Sequence, residues 1–229
     1  GGAGTGGAFN DVWRTDDGGE RWELATRSAP WAARSWFGLA SLPSGSVLLF
    51  GGLASDGASL LCDVWRSPNG GRSWELALDA APWAARRGFG SALLPSGALL
   101  VLGGLGEKGP LNDVWWSWDE GFSWEQGTDS ASWTPRVDPG VAVLPDGAVF
   151  VLGGQDRSTG GCRRDAWWAD TAGAGGAKPS GGSTGRSTSS TGDPSPGWSP
   201  LSRLTPTLPV LPPPEGASPP PAAAVGRSP

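Results

Sequence analysis

The 229 residues carry 17 Lys and Arg against 22 Asp and Glu, a formal net charge of −5; an acidic balance without a basic stripe repels phosphate backbones and disfavours nucleic acid as a partner. No apolar run approaches the ~18 residues that a membrane-crossing helix needs. His and Tyr are absent, which removes imidazole-based nucleophile systems, and Cys62 and Cys162 lack the companions of a zinc site or a disulfide framework, so they read as free thiols.

Composition divides the chain near residue 171. The first part holds 14 of the 15 Trp and all six Phe. Residues 171–229, rich in Gly, Ala, Ser, Thr and Pro, have too little apolar area to offset ordering entropy and are expected to be disordered. That tail carries Lys178, Arg186, Arg203 and Arg227 against Asp193 and Glu215, so the acidity belongs to residues 1–170.

Along the chain, Gly2-Ala3-Gly4-Thr5-Gly6-Gly7 matches G-x-G-x-x-G in form. No strand precedes it and no helix follows, so it is not a nucleotide loop. Asp11-Val12-Trp13 then recurs as Asp63-Val64-Trp65, Asp113-Val114-Trp115 and Asp165-Ala166-Trp167. Arg34, Arg86 and Arg136 share the register, as do Leu42-Pro43-Ser44-Gly45, Leu94-Pro95-Ser96-Gly97 and Leu144-Pro145-Asp146-Gly147. Each of these turns leads into an apolar run that closes on Gly51-Gly52, Gly103-Gly104 or Gly153-Gly154.

A period near fifty residues signals an array of small sheets. Each unit reads as four short strands, as in 88–94, 98–103, 113–117 and 122–126. The second strand, Val47-Leu48-Leu49-Phe50, is apolar on both faces and should lie between sheets. The units are a half at 1–26, full ones at 27–77 and 78–127, and a partial one at 128–170 with three strands. A fragment of a longer protein is the favoured reading of this incomplete array, with a second copy completing it as the alternative.

An Arg before strand one, Gly-Gly closing strand two, Asn-Asp-Val-Trp opening strand three and a Trp in strand four together resemble the kelch repeat. The kelch Tyr is missing, with Trp13, Trp65 and Trp115 near its place. The turn before the last Trp is longer and resembles an Asp-box, S/T-x-D-x-G-x-x-W, with Asp17 and Trp22, Asn69 and Trp74, and Asp119 and Trp124 at its key positions. The resemblance covers about residues 1–170. It implies an all-β fold, a β-propeller of four-stranded antiparallel blades, incomplete at about three blades, followed by the disordered tail. The Asp-box residues are expected to be structural, each Trp being pinned under its hairpin.

Propeller oxidases and sialidases of similar fold need Tyr or His, so neither activity carries over, and no cofactor or metal is expected. Ligand contacts should cluster on the face bearing the loops after strands two and four. There Trp31, Arg34, Trp83, Arg86, Trp133 and Arg136 form a candidate binding ring, read either as a contact surface or as a lock between blades. Glu107, Lys108, Asp156 and Arg157 break the repeat and are candidates for specificity. The functional expectation is a non-catalytic protein–protein interaction module. The alternatives are a carbohydrate-binding propeller using the Trp/Arg ring and a piece of a larger enzyme whose catalytic residues lie elsewhere. In the tail, Arg203 to Pro209 fits R-x-x-P-x-x-P, a weak SH3-type signal.

Overall fold

The computed structural model describes residues 1–157, 160–171 and 197–201, and contains no α-helix among them. Two short hairpins come first, β1 (Gly2–Gly4) with β2 (Gly7–Phe9), and β3 (Val12–Arg14) with β4 (Glu23–Thr26). The first complete sheet comprises β5 (Arg34–Ser35), β6 (Gly38–Ser41), β7 (Val47–Ala54), β8 (Leu60–Ser67) and β9 (Glu75–Leu78). The second repeats it with β10 (Arg86–Arg87), β11 (Gly90–Leu93), β12 (Leu99–Gly106), β13 (Gly109–Ser117) and β14 (Glu125–Thr128). The third comprises β15 (Gly140–Val143), β16 (Val149–Leu152), β19 (Ala166–Ala169) and β20 (Ser199–Pro200), and between β16 and β19 the chain forms a separate small pair, β17 (Gln155–Asp156) with β18 (Gly161–Cys162). All pairings are antiparallel, with β5 and β6 both pairing with β7, β10 and β11 both with β12, and β16 with β19.

Alternation along the second strand explains how the sheets stack. Leu48 and Phe50 point from β7 toward Leu99 and Val101 of the next sheet, where Val64, Trp83 and Trp124 complete the core. Leu100 and Leu102 point the other way, meeting Val149, Val151 and Trp133. A smaller cluster of Ala29, Trp31 and Leu49 joins β3 and its neighbours to the first complete sheet. The first strands β6, β11 and β15 lie side by side. Among the described residues this is an open series of small antiparallel sheets.

Several expectations need correction. The first strand of the second unit is two pieces, β10 and β11, broken at Gly88 with φ +56°. In the third sheet β16 stops at Leu152, just before Gly153-Gly154, but in the first two complete sheets the Gly-Gly pairs do not end strand two. They form a bulge, after which pairing resumes as Gly52↔Leu61 and Leu53↔Leu60, so most of each supposed loop after strand two is hairpin. The second glycine is required there: at Gly52, with φ +104°, a Cβ would lie 2.8 Å from the Ser35 carbonyl oxygen. Gly1-Gly2-Ala3-Gly4 repeats this pattern, with Gly2 at φ +111° and a hairpin of its own.

The boundary at residue 170 also moves. Thr171 is buried, its hydroxyl donating to the Gly147 carbonyl. Residues 197–201 return to the third sheet, Ser199 opposing Trp168 and Pro200 opposing Trp167. Trp198 thereby occupies the place of Trp74 and Trp124, and the third sheet has its fourth strand. One Trp was enough apolar area to bring a short polar segment back, a local signal hidden when composition is averaged over the whole tail.

Candidate functional site

The candidate ring is interior. Arg34, Arg86 and Arg136 are each 0% exposed, and Trp31, Trp83 and Trp133 are buried beside them. Arg86 shows the common geometry. Its Nε donates to the Ala84 carbonyl at 2.9 Å and Nη1 to the Gly103 carbonyl at 3.0 Å, while Nη1 and Nη2 fork onto Asp113 at 2.7 and 2.6 Å. Arg34 holds Asp63 and Arg136 holds Asp165 in the same way. Each guanidinium also lies over its Trp, 5.5–6.0 Å from the ring centroid. Buried in this way, the six residues present almost no surface for a contact, and the repeated Arg ties strand one to strand three of its own sheet.

The hydrogen bond from Arg136, joined by one from the Trp167 indole N–H, holds the Asp165 carboxyl down at about 2. Asp11 sits at the corresponding place without an arginine. Its carboxyl is lowered chiefly by the Trp13 indole N–H, and the Gly1 ammonium donates to its side chain at 3.3 Å.

The turns between strands three and four share one scheme. The Thr15 hydroxyl donates to Asp17 and accepts from the Gly19 N–H, and Asp17 accepts from the Arg21 N–H, which lowers its carboxyl pKa. Ser67, Asn69, Gly71 and Ser73 repeat these bonds, as do Ser117, Asp119, Gly121 and Ser123. Trp22, Trp74 and Trp124 each donate the indole N–H to the turn glycine carbonyl. Their burial differs: Trp124 is 7% exposed, Trp74 half-buried and Trp22 58% exposed. Trp74 packs edge-on to Trp31 and Trp124 edge-on to Trp83, whereas among the described residues no such ring covers Trp22. The expectation of a pinned Trp22 is therefore corrected.

The turns also reach across to the preceding sheet. A Cβ on Gly71 would lie 2.8 Å from Val12, one on Gly121 3.0 Å from Leu48, and the Thr26 hydroxyl donates to the Gly71 carbonyl at 2.7 Å. Trp198 keeps the edge-on contact, 6.0 Å from Trp133, but Ala169 stands where Ser117 begins the turn, and its indole N–H has no acceptor among the described residues.

Two exposed features remain. The first is a strip of Trp36, Arg87, Gly88 and Asp138. Positions 36, 88 and 138 correspond, each two residues after the buried Arg, and have φ +51°, +56° and +52°. This conformation is free for Gly and tolerated by Asp, but costs a bulky residue roughly 1–3 kcal/mol. Trp36 is nevertheless 55% exposed, with the Arg87 guanidinium 4.4 Å from its ring centroid. Sequence reasoning missed this strip, although a Trp that breaks the repeat two residues after an anchor Arg was visible.

The second is the outer edge of β3, which pairs with no strand among the described residues. Beside it opens a cleft of about 280 Å³ lined by Val12, Trp13, Trp31, Phe37, Leu39 and Trp74. Of the specificity candidates, Glu107 and Lys108 form the tip joining β12 to β13, Arg157 lies in a turn, and Asp156 is buried against Arg163 at 2.6 Å. Arg203 to Pro209 lie outside the described residues. Cys62 and Cys162 are free thiols, and burial raises the Cys62 pKa. Among the described residues no cluster of metal-ligating side chains occurs and no helix is long and apolar enough to cross a membrane. No model of a known protein family and no curated protein matches the sequence.

Proposed function

We propose that this chain is a section of a kelch-type β-propeller with Asp-box turns, and that it works as a non-catalytic module binding another protein. The propeller reading is supported by four-stranded meanders stacked through their faces, first strands adjoining, with the same Arg–Asp lock in each complete sheet. The recurring guanidinium and carboxylate groups are committed to one another, and the sequence supplies no imidazole or phenol.

One observation supports the protein-binding reading: an apolar cleft lined by Val12, Phe37 and Trp74 opens beside Trp13 and Leu39, two large apolar side chains that are exposed. Exposed apolar side chains around such a cleft favour the apolar side chains of another polypeptide.

A photo-crosslinking residue at position 39 should give a discrete polypeptide adduct in extract of the source cells, and one at position 69, in a turn, should not. The adduct should diminish with Trp13→Arg. Absence of any adduct at position 39, or the same adducts from both positions, refutes the reading.

A further inference from the structure

We propose that the strip of Trp36, Arg87, Gly88 and Asp138 is a binding site for a neutral sugar ring. It involves different residues from the β3 edge and stands independently of the protein-binding reading.

The strip is held in a fixed arrangement by backbone bonds between successive sheets. The Gly88 N–H donates to the Trp36 carbonyl at 3.1 Å and the Asp138 N–H to the Gly88 carbonyl at 2.7 Å. A Cβ on Gly88 would lie 2.4 Å from Asp138 Oδ1, so the glycine is what lets the carboxylate rest against the backbone beside Arg87. Trp36 is kept in a backbone conformation that favours glycine while more than half of it faces solvent. Burial does not account for that choice of residue.

The charges of the strip are open. Arg34, Arg86 and Arg136 each hold a carboxylate, whereas among the described residues neither Arg87 nor Asp138 takes part in a salt bridge. Arg87 has its guanidinium over the indole, 4.4 Å from the ring centroid, and a guanidinium carries five N–H donors. Asp138 is exposed and presents acceptors only.

Ligand classes can be separated by which groups they leave unsatisfied. An anion would suit Arg87 but meet Asp138 and a protein of net charge −5. A cation would suit Asp138 but meet Arg87. An aliphatic group would cover Trp36 and strip water from both charges without replacing it. A neutral ring rich in hydroxyls uses all three: its C–H face stacks on indole, some hydroxyls accept from the guanidinium, and others donate to the carboxylate.

The test is affinity electrophoresis of the full chain through gels containing neutral galactan, glucan, mannan or xylan. At least one should retard the protein. Trp36→Gly should weaken that retardation by about tenfold or more while leaving the unfolding midpoint unchanged or raised, because glycine relieves the positive φ. Asp138→Ala and Arg87→Ala should each weaken it several-fold. Retardation by none of the four polymers, retardation that survives Trp36→Gly, or binding confined to sulfated glycans or acidic peptides overturns the proposal.

Discussion

Replacing Arg86 by Ala tests the central mechanical claim about the sheets. Arg86 is fully buried, and its loss strands the Asp113 carboxylate, whose side chain is only 13% exposed, together with the Ala84 and Gly103 carbonyls. Breaking a buried, hydrogen-bonded ion pair from one side costs about 3–5 kcal/mol. Arg136→Ala is the internal control, since Asp165 is 39% exposed and water can solvate what the arginine leaves behind; its cost should fall to about 1–3 kcal/mol. With a urea slope of about 2 kcal/mol/M, Arg86→Ala should lower the midpoint by roughly 1.5–2.5 M, clearly more than Arg136→Ala. Equilibrium unfolding followed by tryptophan fluorescence and circular dichroism measures both. A shift below about 0.5 M for Arg86→Ala, or equal shifts for the two variants, would show that the repeated fork is not what ties strand one to strand three.

Trp124→Ala should cost about 3–5 kcal/mol in the same assay, while Trp22→Ala, at an exposed position with the same sequence motif, should cost at most about 1 kcal/mol. Truncation after residue 196 removes Trp198, and should speed hydrogen exchange in β19 while leaving β7 and β12 unaffected. Asp165 titrates below its ordinary value in the folded chain, so its contribution is complete above pH about 3.8 and is lost as pH falls through about 2; urea midpoints measured across that window should fall less steeply for Asp165→Asn.

The repeating units were legible because each anchor answers a local backbone need. Arg, Gly-Gly and the turn residues recur at one spacing, and the apolar second strand declares that it lies between two sheets. What the sequence withheld was the direction in which side chains point. Trp31 and Arg34 have the composition of a contact surface, and only their fork onto Asp63 and the packing around Leu49 show them to be interior. Trp22 and Trp124 sit in equivalent motifs, yet their burial depends on a covering ring that motif reading does not see. Trp198 lay in a segment whose composition spoke for disorder, and its partner Trp133 is distant in sequence. The conformation of Trp36 was invisible because a positive φ is expected of Gly88 and Asp138, not of an indole.

The turn glycines that press against the sheet before them give the array a direction. The hairpin of β3 and β4 and the first complete sheet are each fastened by a finger from the sheet that follows, so the loss of the later sheet also unlatches the earlier one, whereas the reverse loss removes only a surface to rest on. Neighbour contacts of this kind set the barrier to losing one sheet from the array.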